Sequence, residues 1–265
     1  MFWSRSQRES WNRTVTEARG VLSRYAHILD VLAAAPDGLT LTEIMQATGL
    51  PRGTVHRLLG ALLEVGYIES AEGRKVYRLG QRLLHMLHLG TPAEVIVKLV
   101  RPVLDRLVAQ FRETAFLARL EGREVRSVAM ATPPSTEQSY VQPGREMPVH
   151  AAASGKAIFA FQDEAVIGEV LARPLEKFTE KAIIDPAAVR AELEAVRAKG
   201  YAVCDEELDP GIYSYACPIH LEEPGVIYSI GLVGLTDRLH RFPPEEIVAG
   251  LQEAATQIAA LLSRR

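Results

Sequence analysis

Arg52, Gly53, Thr54, His56 and Arg57 fall within one short stretch, and these residue types at this spacing can read double-stranded DNA. Arginine offers a fork of donors that fits O6 and N7 of guanine in the major groove. A threonine hydroxyl and the free amides at a helix start suit a phosphate. The same stretch, "TGLPRGTVHRLLGALLEVGYI", holds Val55, Leu58, Leu59, Leu62 and Leu63 at i, i+3, i+4, i+7 and i+8. That spacing predicts a helix with one buried stripe, which turns the polar residues near its start outward. A plain three-helix substructure with a solvated basic face could carry the same residues. The neighbouring elements decide between the two.

A second stretch with chemical potential is "HAAASGKAIFAF", where Ala153-Ser154-Gly155-Lys156 opens a predicted helix. Several backbone N–H groups are free at such a start, and the helix dipole favours an anion there. The small residues Ala153, Ser154 and Gly155 would let a carboxylate approach. His150, Ser154, Lys156 and Cys204 also raise a hydrolase-type reading. Against it, the sequence has no Gly-x-Ser-x-Gly elbow, no phosphate loop and no His-Glu-x-x-His. A histidine beside an apolar strand is more often structural. His150, Cys204 and Cys217 match no metal-site spacing, so neither a metal nor a cofactor is expected.

The elements that must position the first stretch are legible upstream and downstream. Leu22, Tyr25, Ala26, Ile28, Leu29 and Leu32 predict a first helix, ended by Pro36-Asp37-Gly38. Thr40-Leu41-Thr42-Glu43 is a capping-box pattern that starts a second, short helix with Ile44, Met45 and Ala47 on one face. Thr42, at the start of that helix, joins the candidate DNA contacts. After the third helix, "YIESAEGRKVYRLG" reads as strand, turn and strand, with Arg74 and Lys75 at the tip. Helix, turn, helix and basic wing together form the winged helix-turn-helix plan, which docks its last helix in a major groove.

The chain has 265 residues, 48% hydrophobic and 24% charged, enough for two ordinary domains. Its net charge is −3, but residues 1–85 hold 11 Lys and Arg against 8 Asp and Glu, whereas the remainder holds 19 against 25. A positive head on an acidic body fits a DNA-reading module attached to something else. No apolar run is long enough to span a bilayer, and the N-terminal residues lack the apolar region of a signal peptide. With two cysteines in no paired motif, a reduced, cytoplasmic protein is expected.

Beyond the wing, Leu83, Leu84 and Leu87 predict a helical connector, and Thr91-Pro92 signals a further helix to about Phe111, with Pro102 expected to bend it or mark a boundary. Strand-like and helical patterns then alternate to the end. This gives a polar arm over 1–20, a DNA-binding domain over 21–80, a connector helix over 81–97 and a second domain over 98–265. Leu83, Leu84, Leu87 and Val95 are too apolar to leave wet on a lone helix, which predicts at least a homodimer.

Residues 21–265 resemble the IclR family of bacterial transcription regulators. The resemblance rests on "LTLTEI", "TGLPRGTVHRLL" and "GYI", on "MPVHAAASGKAIFAF", and on "KGYAVCDEELDPGIYSYACPI". It implies an α+β protein: a winged helix-turn-helix joined by a connector helix to a GAF/PAS-like effector-binding domain with a curved antiparallel sheet. It also implies a regulator that binds near-palindromic operator DNA, senses a small organic acid, forms dimers that pair on DNA, and is not an enzyme. A regulator that binds DNA without any ligand is the alternative. The family's ligand contacts would fall on Ala153, Ser154, Cys204, Ser214, Gly231 and Val233. Three of these depart from the family pattern: Cys204 replaces an Asp, and Gly231 and Val233 replace a Ser-x-Ser. The implied pocket is less polar than usual, which favours a larger or aromatic carboxylate. Met130, Met147, Ile212 and Tyr215 would wall it.

Overall fold

The computed structural model describes residues 20–35, 37–71, 76–80, 82–83, 86, 90, 92–134, 141–222 and 225–263. The chain divides into two compact units, Met1–Gly90 and Thr91–Arg265. Apart from Gly20, the expected N-terminal arm lies outside the described residues, as do Arg74 and Lys75 at the wing tip.

In the first unit α1 (Val21–Ala33) leads to a short strand β1 (Leu39–Thr40), then α2 (Leu41–Thr48) and α3 (Arg52–Glu64). The capping box at the start of α2 forms as its sequence dictates. The Thr40 amide donates to Glu43 Oε2 at 2.8 Å, and the Glu43 amide donates back to Thr40 Oγ1. These bonds hold the Glu43 carboxyl below its ordinary range. Gly49 ends α2 in the left-handed conformation, φ 67°. The core joins Ile28 and Leu32, Ile44, and Val55, Leu58, Leu59 and Leu62. Three apolar residues depart from the expected faces. Leu22 is exposed because the core begins at Tyr25, and Ala47 faces solvent. Leu63 is exposed because the chain turns at Gly66 and the Tyr67 amide bonds back to Leu62 O, so Leu62 is the last residue of the stripe to meet the core.

The wing strands are β2 (Ile68–Ala71) and β3 (Val76–Leu79). With β1 they form an antiparallel sheet in the order β1-β3-β2, with Ser70 opposite Tyr77. The expected connector over 81–97 is not one helix. Gly90 lies in a turn, and Pro92 caps α4 (Ala93–Phe111). Proline's fixed φ and missing N–H suit the position ahead of a first helical turn, and α4 starts at Ala93. Residues 93–97 therefore belong to the second unit, whose boundary falls at 90/91 rather than 97/98. Leu83 and Val95 are half-buried, not exposed; Leu84 and Leu87 lie outside the described residues.

In the second unit α4 buries Ile96, Val100, Val103, Leu104, Leu107 and Phe111. Pro102 neither ends the helix nor marks a boundary. It and Lys98 are exposed, so the carbonyl that loses its partner faces water. The remaining elements are β4 (Thr114–Glu121), β5 (Glu124–Ala131), α5 (Ala153–Phe159), α6 (Glu164–Leu171), α7 (Pro186–Lys199), β6 (Ala202–Asp205), β7 (Ile212–His220), β8 (Val226–Leu235), α8 (Thr236–Leu239) and α9 (Pro244–Ser263). The strands form one antiparallel sheet in the order β5-β4-β8-β7-β6. Every residue of α5 is buried, and the helix packs on β7 and β8; α4 and α9 pack on each other and on the sheet. An N-terminal helix-turn-helix and a mixed helix–strand domain built on an antiparallel sheet are the fold class that the sequence implied. Among the described residues no helix is long and apolar enough to cross a membrane.

Candidate functional site

The outward face of α3 is set by its inward one. With Val55, Leu58, Leu59 and Leu62 buried, Arg52, Gly53, His56, Arg57 and Gly60 are exposed along the opposite side. A Cβ at Gly53 or Gly60 would meet nothing within 4 Å, so the surface there is open to a close-approaching partner. Thr42 on α2 is exposed as well, whereas Thr54 is half-buried. The Thr54 amide is already bonded to Pro51 O at 2.9 Å, which leaves the amides of Arg52 and Gly53 at the helix start as the ones available to a phosphate. The first unit thus brings Thr42 and the α3 residues onto exposed surface with Thr54 set deeper.

The second unit contains a pocket enclosing about 380 Å³, open mouth included, against the start of α5. Its floor follows from strand register. Cys204 pairs with Ser214, and Ser214 with Val233, so the three share one face of the sheet. One row along, Phe116 pairs with Gly231. Of the expected effector contacts, Met147, Ala153, Ser154, Cys204, Ile212, Ser214 and Val233 line the pocket. Met130, Gly155, Gly231 and Tyr215 do not. Met130 sits opposite Phe116 in the register and packs on the core beyond the pocket. Tyr215 projects from the opposite face to Ser214, where its ring lies tilted against those of Tyr213 and Tyr201.

The two glycines act through packing. A Cβ on Gly155 would lie 2.6 Å from Pro148 O, so the bare backbone is what lets α5 lie against the Met147–Pro148 chain. A Cβ on Gly231 would lie 2.7 Å from Phe116 Cζ, so Gly231 makes room for the Phe116 ring, and the ring forms the wall. Phe116, Val141, Arg145, Ala152, Leu208 and Asp209 also line the pocket and were not singled out from the sequence. Arg145 lies just ahead of "MPVHAAASGKAIFAF", and Asp209 lies within "KGYAVCDEELDPGIYSYACPI". Phe116 had no signal of its own; only the strand register brings it to Gly231.

Polar groups are few. The Ser154 hydroxyl is buried with no hydrogen-bond partner among the described residues, at the place where the α5 amides of Ala153, Ser154 and Gly155 begin the helix. A buried hydroxyl left unpaired costs free energy that a ligand oxygen can restore. Behind it, Lys156 is 1% exposed and its ammonium donates to both oxygens of Glu207 at 2.6 and 2.7 Å, with Glu192 at 3.8 Å. Burial pushes the Glu207 carboxyl up, and the Lys156 charge opposes that shift. Lys156 is thus committed to an internal ion pair that ties α5 to the segment after β6. Burial also raises the Cys204 thiol, so it remains a neutral pocket wall.

The catalytic constellation does not assemble. His150 Nε2 bonds Glu176 O at 2.8 Å, and its ring stacks on Phe178 at 5.7 Å. Cys204 and Cys217 project from opposite faces of the sheet, and burial pushes the Cys217 thiol up to about 12. They cannot share a ligand.

Comparison with known proteins bears on both units. A family model described as bacterial transcriptional regulator IclR C-terminal matches residues 92–260, and one described as IclR helix-turn-helix domain matches residues 21–72. The chain is 35% identical over 199 residues to the HTH-type transcriptional regulator BhcR of Paracoccus denitrificans, covering 75% of this chain and 71% of that protein. It is 30% identical over 243 residues to the glycerol operon regulatory protein of Streptomyces coelicolor, covering 90% and 94%. Both are named as regulators, not as enzymes. Among solved structures, an IclR homolog from Microbacterium hydrocarbonoxydans complexed with 4-hydroxybenzoate is similar over 93% of this chain and 100% of that one, with 26% identity and a TM-score of 0.60.

Proposed function

This chain belongs to the IclR family of transcription regulators, and from that premise we propose that it is a cytoplasmic regulator whose operator affinity responds to an organic, aromatic carboxylate. The reading rests above all on the unpartnered Ser154 hydroxyl at the α5 start, in a pocket whose walls are mostly apolar. A carboxylate there can accept from that hydroxyl and from the free amides of α5, aided by the helix dipole. Phe116, Met147, Ile212 and Val233 supply surface suited to a ring. The Microbacterium relative's 4-hydroxybenzoate belongs to this chemical class.

On the DNA side Arg52, Thr54, His56 and Arg57, with Gly53 and Thr42 beside them, are the proposed contacts, and Arg74 and Lys75 would meet the backbone from the wing. One α3 reads only a few base pairs. A homodimer on a near-palindromic operator, with dimers pairing on longer sites, raises affinity through effective concentration. Ligand and operator must then couple reciprocally, by about 1–3 kcal/mol or roughly 5–150-fold.

Ser154→Asp tests the pocket by placing a negative charge where the carboxylate would sit. Calorimetry against a panel of organic acids that includes 4-hydroxybenzoate should show lost binding, and gel shifts should show unchanged operator affinity without ligand. Equal ligand affinity in the variant, or no binding of any panel member by the wild type, refutes the reading.

A further inference from the structure

Arg145 and Asp209 line the pocket together, and the guanidinium Nη2 of Arg145 donates to Asp209 Oδ2 at 2.9 Å. They stand on two separate rims. Arg145 belongs to the segment that runs beside β5: its carbonyl accepts from the Ser127 amide at 2.9 Å, and the Met147 amide donates to Val125 O at 2.8 Å. Asp209 belongs to the loop from β6 to β7. That loop is held by Lys156 on Glu207, by the Thr179 hydroxyl on the carbonyls of Glu206 and Glu207, and by the Ile212 amide on the Asp209 carbonyl. Both backbones are anchored, so at this point the rims meet through an ion pair between side chains.

The two partners differ in kind from the buried pair behind them. Their side chains are 36% and 46% exposed, against 1% and 10% for Lys156 and Glu207. A pair that wet is cheap to open. Resting on the proposal that the pocket takes a carboxylate, we propose that Arg145 and Asp209 form an exchangeable clasp: an anionic effector takes the place of Asp209 on the Arg145 guanidinium. Arginine can hold a carboxylate through two parallel hydrogen bonds, so the incoming anion replaces like with like. The displaced Asp209, already half in water, rehydrates. A neutral ligand of the same shape offers nothing to exchange and leaves the clasp closed. The arrangement therefore selects for the charged form of a ligand without leaving any charge buried and unpaired. It also makes Asp209 a competitor of the ligand, which gives the two residues opposite signs in a binding assay.

Calorimetry on the full-length chain with 4-hydroxybenzoate and its uncharged analogue 4-hydroxybenzamide separates the outcomes, with benzoate and pyruvate as further acids. Asp209→Asn should tighten carboxylate binding about fivefold, the order set by an exposed ion pair that no longer has to open. Arg145→Gln should weaken it about tenfold, as expected for a lost hydrogen bond to a charged group. Neither change should alter affinity for the amide. If both variants weaken the acid and the amide alike, the pair merely braces the rims, and the clasp is wrong while the carboxylate pocket stands. If both bind the acid as the wild type does, the clasp is again wrong. If the wild type binds none of the acids, the pocket reading fails and takes this inference with it. Unchanged melting of both variants confirms that the comparison is made between folded proteins.

Discussion

Replacing Glu207 by alanine removes both oxygens that hold the Lys156 ammonium, at 2.6 and 2.7 Å. The Lys156 side chain is 1% exposed and, among the described residues, would keep Glu192 at 3.8 Å. Removing one partner of a buried pair costs about 3–5 kcal/mol, because the remaining charge is left without compensation. Glu192 is 32% exposed and close enough to recover part of this, so the lower end is expected. An internal control is Asp105→Ala, which breaks the pair with Arg101, 55% and 52% exposed at i,i+4; such pairs are worth about 0.3–0.5 kcal/mol. The double variant Lys156→Met/Glu207→Leu removes both charges and should recover most of the loss, since apolar replacement of a buried pair is often neutral or stabilising. Urea denaturation followed by a probe in the second unit measures all four proteins, with the midpoint and slope compared separately. A Glu207→Ala cost near that of Asp105→Ala would refute the reasoning, as would a double variant no better than the single one. Glu207→Ala should also weaken carboxylate binding, because Leu208 and Asp209 of the loosened loop line the pocket.

Arg52→Ala and Arg57→Ala should each weaken operator binding by about 1–3 kcal/mol in gel shifts at fixed salt, and unchanged affinity in both would remove that face from the interface. Gly231→Ala drives a methyl to within 2.7 Å of the Phe116 ring and 3.0 Å of the Tyr215 carbonyl, an overpacking that should cost about 1–3 kcal/mol in urea melts and be partly relieved by Phe116→Leu. Burial raises the Glu113 carboxyl above 4.5, against the opposing Arg238 charge, so the native state keeps a proton that the unfolded chain has released. Its contribution to stability is therefore full below 4.5 and is lost as pH rises through the folded value; Glu113→Gln should flatten that fall, and a steeper fall would reverse the assignment.

The parts of the molecule that were legible in the sequence are those fixed by local rules. The capping box at Thr40 and Glu43, the αL stop at Gly49 and the Val55–Leu62 stripe each depend on residues within a turn or two of one another. The α5 start and the Cys204 and Ser214 wall were found because family-like motifs cover them. What escaped was set by distant register. Phe116 reaches the pocket because β4 pairs with β8 across more than a hundred residues, and only that pairing shows that Gly231 makes room for its ring. Lys156 was read as part of a helix start, yet its partner lies 51 residues on, a distance over which no sequence period operates. The start of α4 has a local sign, Pro92 at its N-cap, which the apolar spacing on either side obscures.

The complete burial of α5 has a practical side for anyone wishing to redesign this pocket. A residue that both lines the pocket and fills the core cannot be varied freely for one purpose without disturbing the other, so libraries that randomise all of Ala153 to Lys156 together would lose many of their folded members. Leu208 and Ile212 line the same pocket from half-buried positions on its rim, and Arg145 contributes from the facing one. Diversity introduced there changes what the pocket greets while the helix beneath keeps its fit, so new specificities would be reached with far fewer casualties from the rim than from the helix.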